Sequence, residues 1–565
     1  MSRTSRVWIV CAVVSALASS CTCGAPRQPP RDPTTTLPHG VATNLDFVVD
    51  WSTELPFVDL MRTSRPWISG TIEAWEGGPP IALDAHGWPA RLEDGQIART
   101  LLAWDITAHA SGQYVVLWDG EGDVELRAGT IGPLEEAGRI VERSPGRIVF
   151  RLNPSLDGPG IIVNLVRSSA EQPLTNLRVI VPGGSCEDDA SRFCDAEHAC
   201  EQSGRCVPFE ESHATRRFHP SFVRSMREYA VIRFMNWADA NSTHAILLAP
   251  SRVYESRWED RVTLEDARWW GRVPLEVMID LANEAHVEPW LTLPSRADDD
   301  FARRAGELVR ERLDPSLRVW VEYSNEVWNA QFPQNAYAIE RGRALGLVGE
   351  GEGDDEAVLR FYARRSGELH RLFAEGLGDD PARPTRMVRV YAGQSVSTWR
   401  SEQILDFEDA YTRADVLAIA PYFGHPVPPE EYASWRAMGL DTFFAQAEAS
   451  DLGPARDAIH QQARIARERG LALVAYEGGQ HYVAQGDEQI TALLGRAARD
   501  PRMEHLYDRY LQAFEAEGGR LMVHMVDCTA GGRDGFWGAT ERLGQPIDET
   551  PKLRALRSAA VRTRR

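Results

Sequence analysis

Two glutamates stand where carboxyl chemistry could be done. Glu326 lies in RVWVEYSNEVWN (318–329) and Glu477 in LALVAYEGGQH (471–481). Each directly follows a strand-like apolar run. Two carboxyls held ~5–5.5 Å apart can break a glycosidic bond in two displacements, one as nucleophile and one as acid/base. The acid/base must hold a proton and then release it, so an apolar wall or a second negative charge should raise its pKa. The nucleophile must stay ionised, which a neighbouring arginine favours. Arg233, in AVIRFMN (230–236), is the candidate. Glu322 shares a strand face with Glu326 and reads as one half of a buried ion pair, with Arg233 or Arg389. A second Asn-Glu pair, Asn283-Glu284, falls inside a predicted helix and reads as solvated surface.

Bringing two such groups together requires parallel strands that end on one rim. From about residue 173 onward, apolar runs alternate with long amphipathic stretches. The predicted strands are 177–181, 230–236, 287–293, 318–324, 386–392, 415–420, 471–476 and 520–526. Helices are expected between them, as at 274–285, 299–313 and 455–469. Eight strands with room for eight crossovers predict an α/β chain built on a (β/α)8 TIM barrel over 173–565. Glu326 then ends strand four and Glu477 ends strand seven, on the face where barrel enzymes place their chemistry. A doubly wound open sheet lacks its Gly-rich phosphate loop here. Residues 44–172 read differently. Short alternating runs such as GQYVVLWDG (112–120) and GIIVNLV (160–166), cut by Gly, Pro and Asp, predict an antiparallel β-sandwich accessory domain ahead of the barrel.

The N-terminus reads as an address. Arg3 and Arg6 precede an apolar run from Val7 to Ala18, and Leu17-Ala18-Ser19-Ser20-Cys21 resembles a bacterial lipobox. The expectation is a lipoprotein signal peptide over 1–20, lipidation at Cys21, a linker over 21–43 and residence in the cell envelope, anchored to a membrane. Export makes disulfides the expected state of Cys186, Cys194, Cys200 and Cys206, an insertion spanning 186–206, with three pairings open. Spacings of seven, five and five residues, with no C-x2-C pair, argue against zinc. The 565 residues include 82 acidic and 62 basic side chains, a formal charge of −20. That balance speaks against nucleic acid as a partner. The 17 tryptophans suit either large cores or sugar-stacking clefts.

An Asn-Glu at the end of strand four with a Glu at the end of strand seven resembles the clan A glycoside hydrolases, retaining (β/α)8 enzymes. RFMNWADAN, VEYSNEVWN and AYEGGQH look like bacterial proteins labelled cellulose-binding or putative glycosidase. The resemblance implies that Glu326 is the acid/base, Glu477 the nucleophile and Asn325 the ligand of the sugar 2-hydroxyl. It implies that Arg233 supports the nucleophile, that Tyr422 hydrogen-bonds it and that Trp537 floors the reacting subsite. Trp237, His425 and His481 are further substrate-binding candidates at strand ends, with Asp239, Asn241 and Gln480 weaker ones. The expected partner is a carbohydrate, with no cofactor and no metal. Asp298, Asp299 and Asp300 read as a helix start. Neither a G-x-S-x-G elbow nor an H-E-x-x-H motif occurs. The competing reading is an inactive glycan-binding lipoprotein on the same fold.

Overall fold

The computed structural model describes residues 37–563, except 105–107, 130, 155–159, 197, 201–203 and 243–256. Eight parallel strands close into a barrel: β1 Gly40–Asn44, β2 Val231–Arg233, β3 Glu288–Leu293, β4 Val319–Tyr323, β5 Met387–Ala392, β6 Val416–Ile419, β7 Ala472–Ala475 and β8 Gly519–His524. Closure runs through β1, which pairs with β8 at Gly40↔Leu521 and with β2 at Asn44↔Arg233. Parallel strands covered on both faces read as near-continuous apolar runs. Every residue of β2, β4, β5, β6 and β7 is buried. Helices outside the barrel follow their sequence cues. Asp298 caps the helix Asp299–Arg312 by accepting from the Phe301 N–H, as three consecutive aspartates at a helix start suggested. That helix lies against Asp354–Leu377 with backbones almost touching, and a Cβ on Gly306 would sit 2.2 Å from the Phe373 carbonyl oxygen.

The strand expected to open the barrel does not do so. Residues Thr175–Ile180 form an edge strand of a four-stranded antiparallel sheet, beside Gly112–Asp119, Arg147–Leu152 and Ile140–Ser144. The barrel's first strand is Gly40–Asn44, which straddles the expected border between the linker (21–43) and the sandwich (44–172). The antiparallel sheets are therefore an insertion between β1 and β2, not a domain ahead of the barrel, and the expected boundary at 172/173 falls short of their last strand. LRVIV deceived because a strand lying on a buried face is as apolar as a barrel strand. GVATN was passed over because five residues with one glycine carry little strand signal. One strand lost and one gained left the ordinals of β4 and β7 unchanged.

A second antiparallel sheet of five strands runs through Ile97–Ala103, Ile161–Ser168 and Gly122–Ala128. Tyr114, Val116, Phe150 and Val179 of the first sheet and Leu102, Leu126 and Val163 of the second share one buried cluster. A three-stranded sheet follows, closed by Cys186–Cys200 and Cys194–Cys206, one of the three open pairings. Cys528 is a buried free thiol. The expected signal peptide, Cys21 and most of the linker lie outside the described residues. No helix among the described residues is long and apolar enough to cross a membrane.

Candidate active site

Three strands deliver the polar groups around Arg233, and β7 adds Glu477. Asn44 ends β1, Arg233 ends β2, and the chain leaves β4 through Ser324, Asn325 and Glu326. That exit is strained: Ser324 and Glu326 both adopt left-handed backbone, φ 58° and 39°. Each such non-glycine residue costs roughly 1–3 kcal/mol and persists only when its surroundings enforce it. The Ser324 N–H donates to the Leu293 carbonyl (2.8 Å), Gln334 Nε2 to the Asn325 carbonyl (2.7 Å) and Asn335 Nδ2 to the Val327 carbonyl (2.9 Å). The helix Pro333–Ala344 thus pins the turn that aims Glu326.

Arg233 is the hub beneath this turn, with no solvent exposure. Its Nε and Nη2 donate to the two oxygens of Glu322 at 2.9 and 3.1 Å, so the expected ion pair forms with Arg233, while Arg389 pairs with Asp415. Nη1 reaches Glu477 Oε1 at 3.1 Å and Asn44 Oδ1 at 3.2 Å, and Nη2 also reaches Asn325 Oδ1 at 2.8 Å. Trp290 Nε1 adds a 2.8 Å bond to Glu322. Burial opposes a charge on Arg233, but Glu322 and Glu477 hold its proton more firmly than usual. Burial raises Glu322, against the pull of Arg233. Burial likewise pushes Glu477 up to about 7, with Arg233 and the Tyr422 hydroxyl opposing and the charge of Glu326 adding to the rise.

The mouth is built from β6, β7 and β8. Tyr422 donates to Glu477 Oε2 at 3.0 Å. Tyr476, one residue before Glu477, donates to Glu326 Oε1 at 2.8 Å, and Asn329 Nδ2 donates to Oε2 at 2.9 Å. Glu326 itself is partly exposed. Tyr422, His481 and Trp537 form an aromatic wall, with ring centroids 5.1 Å apart for Tyr422–His481 and 5.2 Å for His481–Trp537. Burial lowers the pKa of His481, which favours its neutral form. The rings are tilted to one another by 38° to 72°, and each offers an apolar face beside two carboxyls where a pyranose can pack.

Two expected substrate ligands are not placed to touch substrate. The Trp237 ring is wholly buried, packed among Phe57, Phe222 and Phe234. Arg233 contacts Glu477 but is sealed beneath it. His425 contacts Glu431, with its Nε2 at 3.3 Å, and the Trp435 ring. Asp239 is buried 3.6 Å from Arg272. Asn241 accepts from both Asn325 and Gln334, and so orients the Asn325 amide. Gln480 braces the loop after β7. Sequence reading missed Asn44, Gln334, Asn329 and Tyr476. Of these, only Tyr476, adjacent to Glu477, carried a signal.

No known protein family and no curated protein matches the sequence. Among solved structures, the chain is similar to a Bacteroidetes-affiliated GH5 cellulase linked with a polysaccharide utilization locus, at 10% identity and TM-score 0.32 over 60% of this chain and 84% of that one. A modular endo-β-1,4-mannanase of glycoside hydrolase family 26 from Cellulomonas fimi matches at 12% identity and TM-score 0.31, over 59% and 63%. A family 51 α-L-arabinofuranosidase from Bifidobacterium longum matches at 12% and 0.36, over 61% and 67%. This chain thus spans less than two thirds of the mannanase. Likeness of this degree adds no weight, and the TIM barrel rests on its own strand pairing.

Proposed function

We propose that this protein is a retaining β-glycoside hydrolase acting on a polysaccharide or oligosaccharide, exported and held at the cell envelope by a lipid on Cys21. The observation that carries the reading is Glu477 held between Arg233 and Tyr422, with Glu326 on the neighbouring rim close enough for its charge to act on Glu477. In the first displacement Glu477 attacks the anomeric carbon while Glu326 gives its proton to the departing oxygen. In the second, Glu326 takes a proton from water, which attacks the same carbon and releases Glu477. Asn325, its amide oriented by Arg233 and Asn241, offers an N–H to the 2-hydroxyl. Trp537, His481 and Tyr422 pack against the sugar. The two antiparallel sheets form a β-sandwich that buttresses the barrel from its insertion point. The disulfides fit an oxidising compartment.

The test is hydrolysis of β-glucans, mannans and xylans by the wild type and by Glu477→Gln. Turnover by the wild type and its loss by about 10³-fold or more in the variant are expected, since no other group replaces the nucleophile. Full activity in Glu477→Gln overturns the assignment. Binding without turnover of any glycan supports the inactive, glycan-binding lipoprotein instead.

A further inference from the structure

A second cleft, of about 420 Å³, lies between the inserted sheets, the segment 213–218 and the helix Leu275–Ala285. Its size is that of a ligand site. None of the residues around Glu326 and Glu477 lines it. Three arginines converge there from three separate stretches: Arg62 in the turn Leu60–Thr63, Arg178 in the strand Thr175–Ile180, and Arg217 just before the helix Pro220–Met226. Arg62 and Arg217 both lie over the Trp269 ring, at 4.5 and 5.6 Å from its centroid. The three repel one another. Burial lowers the pKa of Arg62, Asp59 opposes this, and Arg217 and Arg178 lower it further.

Two of the three acids of the cleft are already engaged, and burial raises the pKa of the third, Glu284, against the charge of Arg217. Asp59 Oδ1 accepts from the N–H groups of Met61 (3.0 Å) and Val179 (2.9 Å), leaving Oδ2 at 3.6 Å from Arg62. Asp280 is divided between Arg217 (2.5 Å) and Arg312 (2.9 Å). Arg178 is the least satisfied. Its Nη2 reaches Asp119 only at 3.4 Å, its Nη1 stands 3.5 Å from His213 Nε2, and its Nε is buried with no partner among the described residues. Buried donors without acceptors are rare in native proteins, and a guanidinium fork is shaped to take an oxyanion. Three arginines and three acids, Asp59, Asp280 and Glu284, line the cleft, so its walls are formally balanced in a chain of net charge −20. His213, Thr215 and Glu284 line the same walls and can serve hydroxyl groups.

We propose that this cleft binds an acidic saccharide of the uronate class, its carboxylate set among Arg62, Arg178 and Arg217. The saccharide half rests on the glycosidase reading, and the oxyanion half does not. The test titrates the full chain with glucuronate, inorganic sulfate and glucose at constant ionic strength. Trp269 emission, taken as wild type minus Trp269→Phe, and Tm are followed. Glucuronate is expected to give a saturable change in emission and to raise Tm, and glucose to give neither. Arg178→Gln and Arg217→Gln are expected to weaken the glucuronate response about tenfold or more, with hydrolysis of a neutral glycan unchanged. No saturable response to either anion, or variants that respond like the wild type, overturns the proposal. A response to sulfate but not to glucuronate reduces the cleft to an adventitious ion only. Loss of all turnover with glucuronate binding intact would sink the hydrolase and leave the cleft standing.

Discussion

Glu477 is under two opposed demands. Burial pushes its pKa up to about 7, while the nucleophile it is proposed to be must be ionised. Arg233 and Tyr422 resist the rise without cancelling it. The consequence for catalysis is a definite sign: as pH drops below about 7 the protonated fraction grows, so kcat/KM is expected to fall on the acid side with a limb near 7. A pH–rate profile measures it, and a limb near 4.5 would mean that Glu477 does not feel its burial. Removing the arginine is a harsher test. Arg233→Met leaves Glu322 and Glu477 facing each other in the barrel interior, and breaking a buried ion pair from one side costs about 3–5 kcal/mol. Denaturant unfolding should show that loss, with both glutamates pushed further up. Glu326 can be isolated chemically. In Glu326→Ala, a substrate whose leaving group needs no proton should still undergo the first displacement, giving a burst of released leaving group followed by slow turnover. A substrate with a poor leaving group should show neither.

Elements decide how well those residues are aimed. Trp537 belongs to the loop after β8, and its neighbour Phe536 is gripped by two donors on one carbonyl, Gln480 Nε2 at 2.7 Å and Lys552 Nζ at 2.5 Å. Lys552 is the chain's single lysine, buried, and placed in the first turn of the helix Pro551–Thr563, where the helix dipole disfavours a cation. Burial brings its pKa down to about 7. Such a position is tolerated because its donor ties the β8 loop to the β7 loop. Lys552→Met, which keeps the stem and removes the donor, is expected to raise KM about three- to tenfold with a smaller change in kcat. A steady-state comparison settles it, and a fall in kcat alone would point to general unfolding. The same scale explains what could be read from the sequence. Glu326 and Glu477 were legible because strand ends are marked by a change from apolar run to polar residue. Trp237 misled because a tryptophan after a strand end looks alike whether it turns into the cleft or under the adjoining loop. Asn44 was invisible because its strand went unrecognised, and Gln334 because its role depends on a turn geometry that no spacing reveals.

At the scale of the whole molecule, three buried histidines contribute to the loss of stability in acid. His219 caps the helix Pro220–Met226 by accepting from the Ser221 N–H through Nδ1, which requires the neutral ring, and burial lowers its pKa to about 4. The unfolded chain takes up that proton near the model-peptide value of about 6.5, so the stability His219 provides is whole above 6.5 and is lost as pH falls toward 4. His370 and His524, both lowered to about 3, act with the same sign. His219→Asn keeps a capping acceptor without the proton, and its Tm should fall less than that of the wild type between pH 6.5 and 4. The inserted sheets bear on something else, the birth of the chain. β1 leaves the ribosome before the other seven barrel strands, yet its partner across the seam, β8, is made after all of them, with Gly40 meeting Leu521. Until then the nascent barrel is an open sheet with two unpaired edges, the kind of intermediate that invites wrong partners and calls for chaperones. Cutting at 172/173, where the sequence suggests a domain border, would make that vulnerable state permanent.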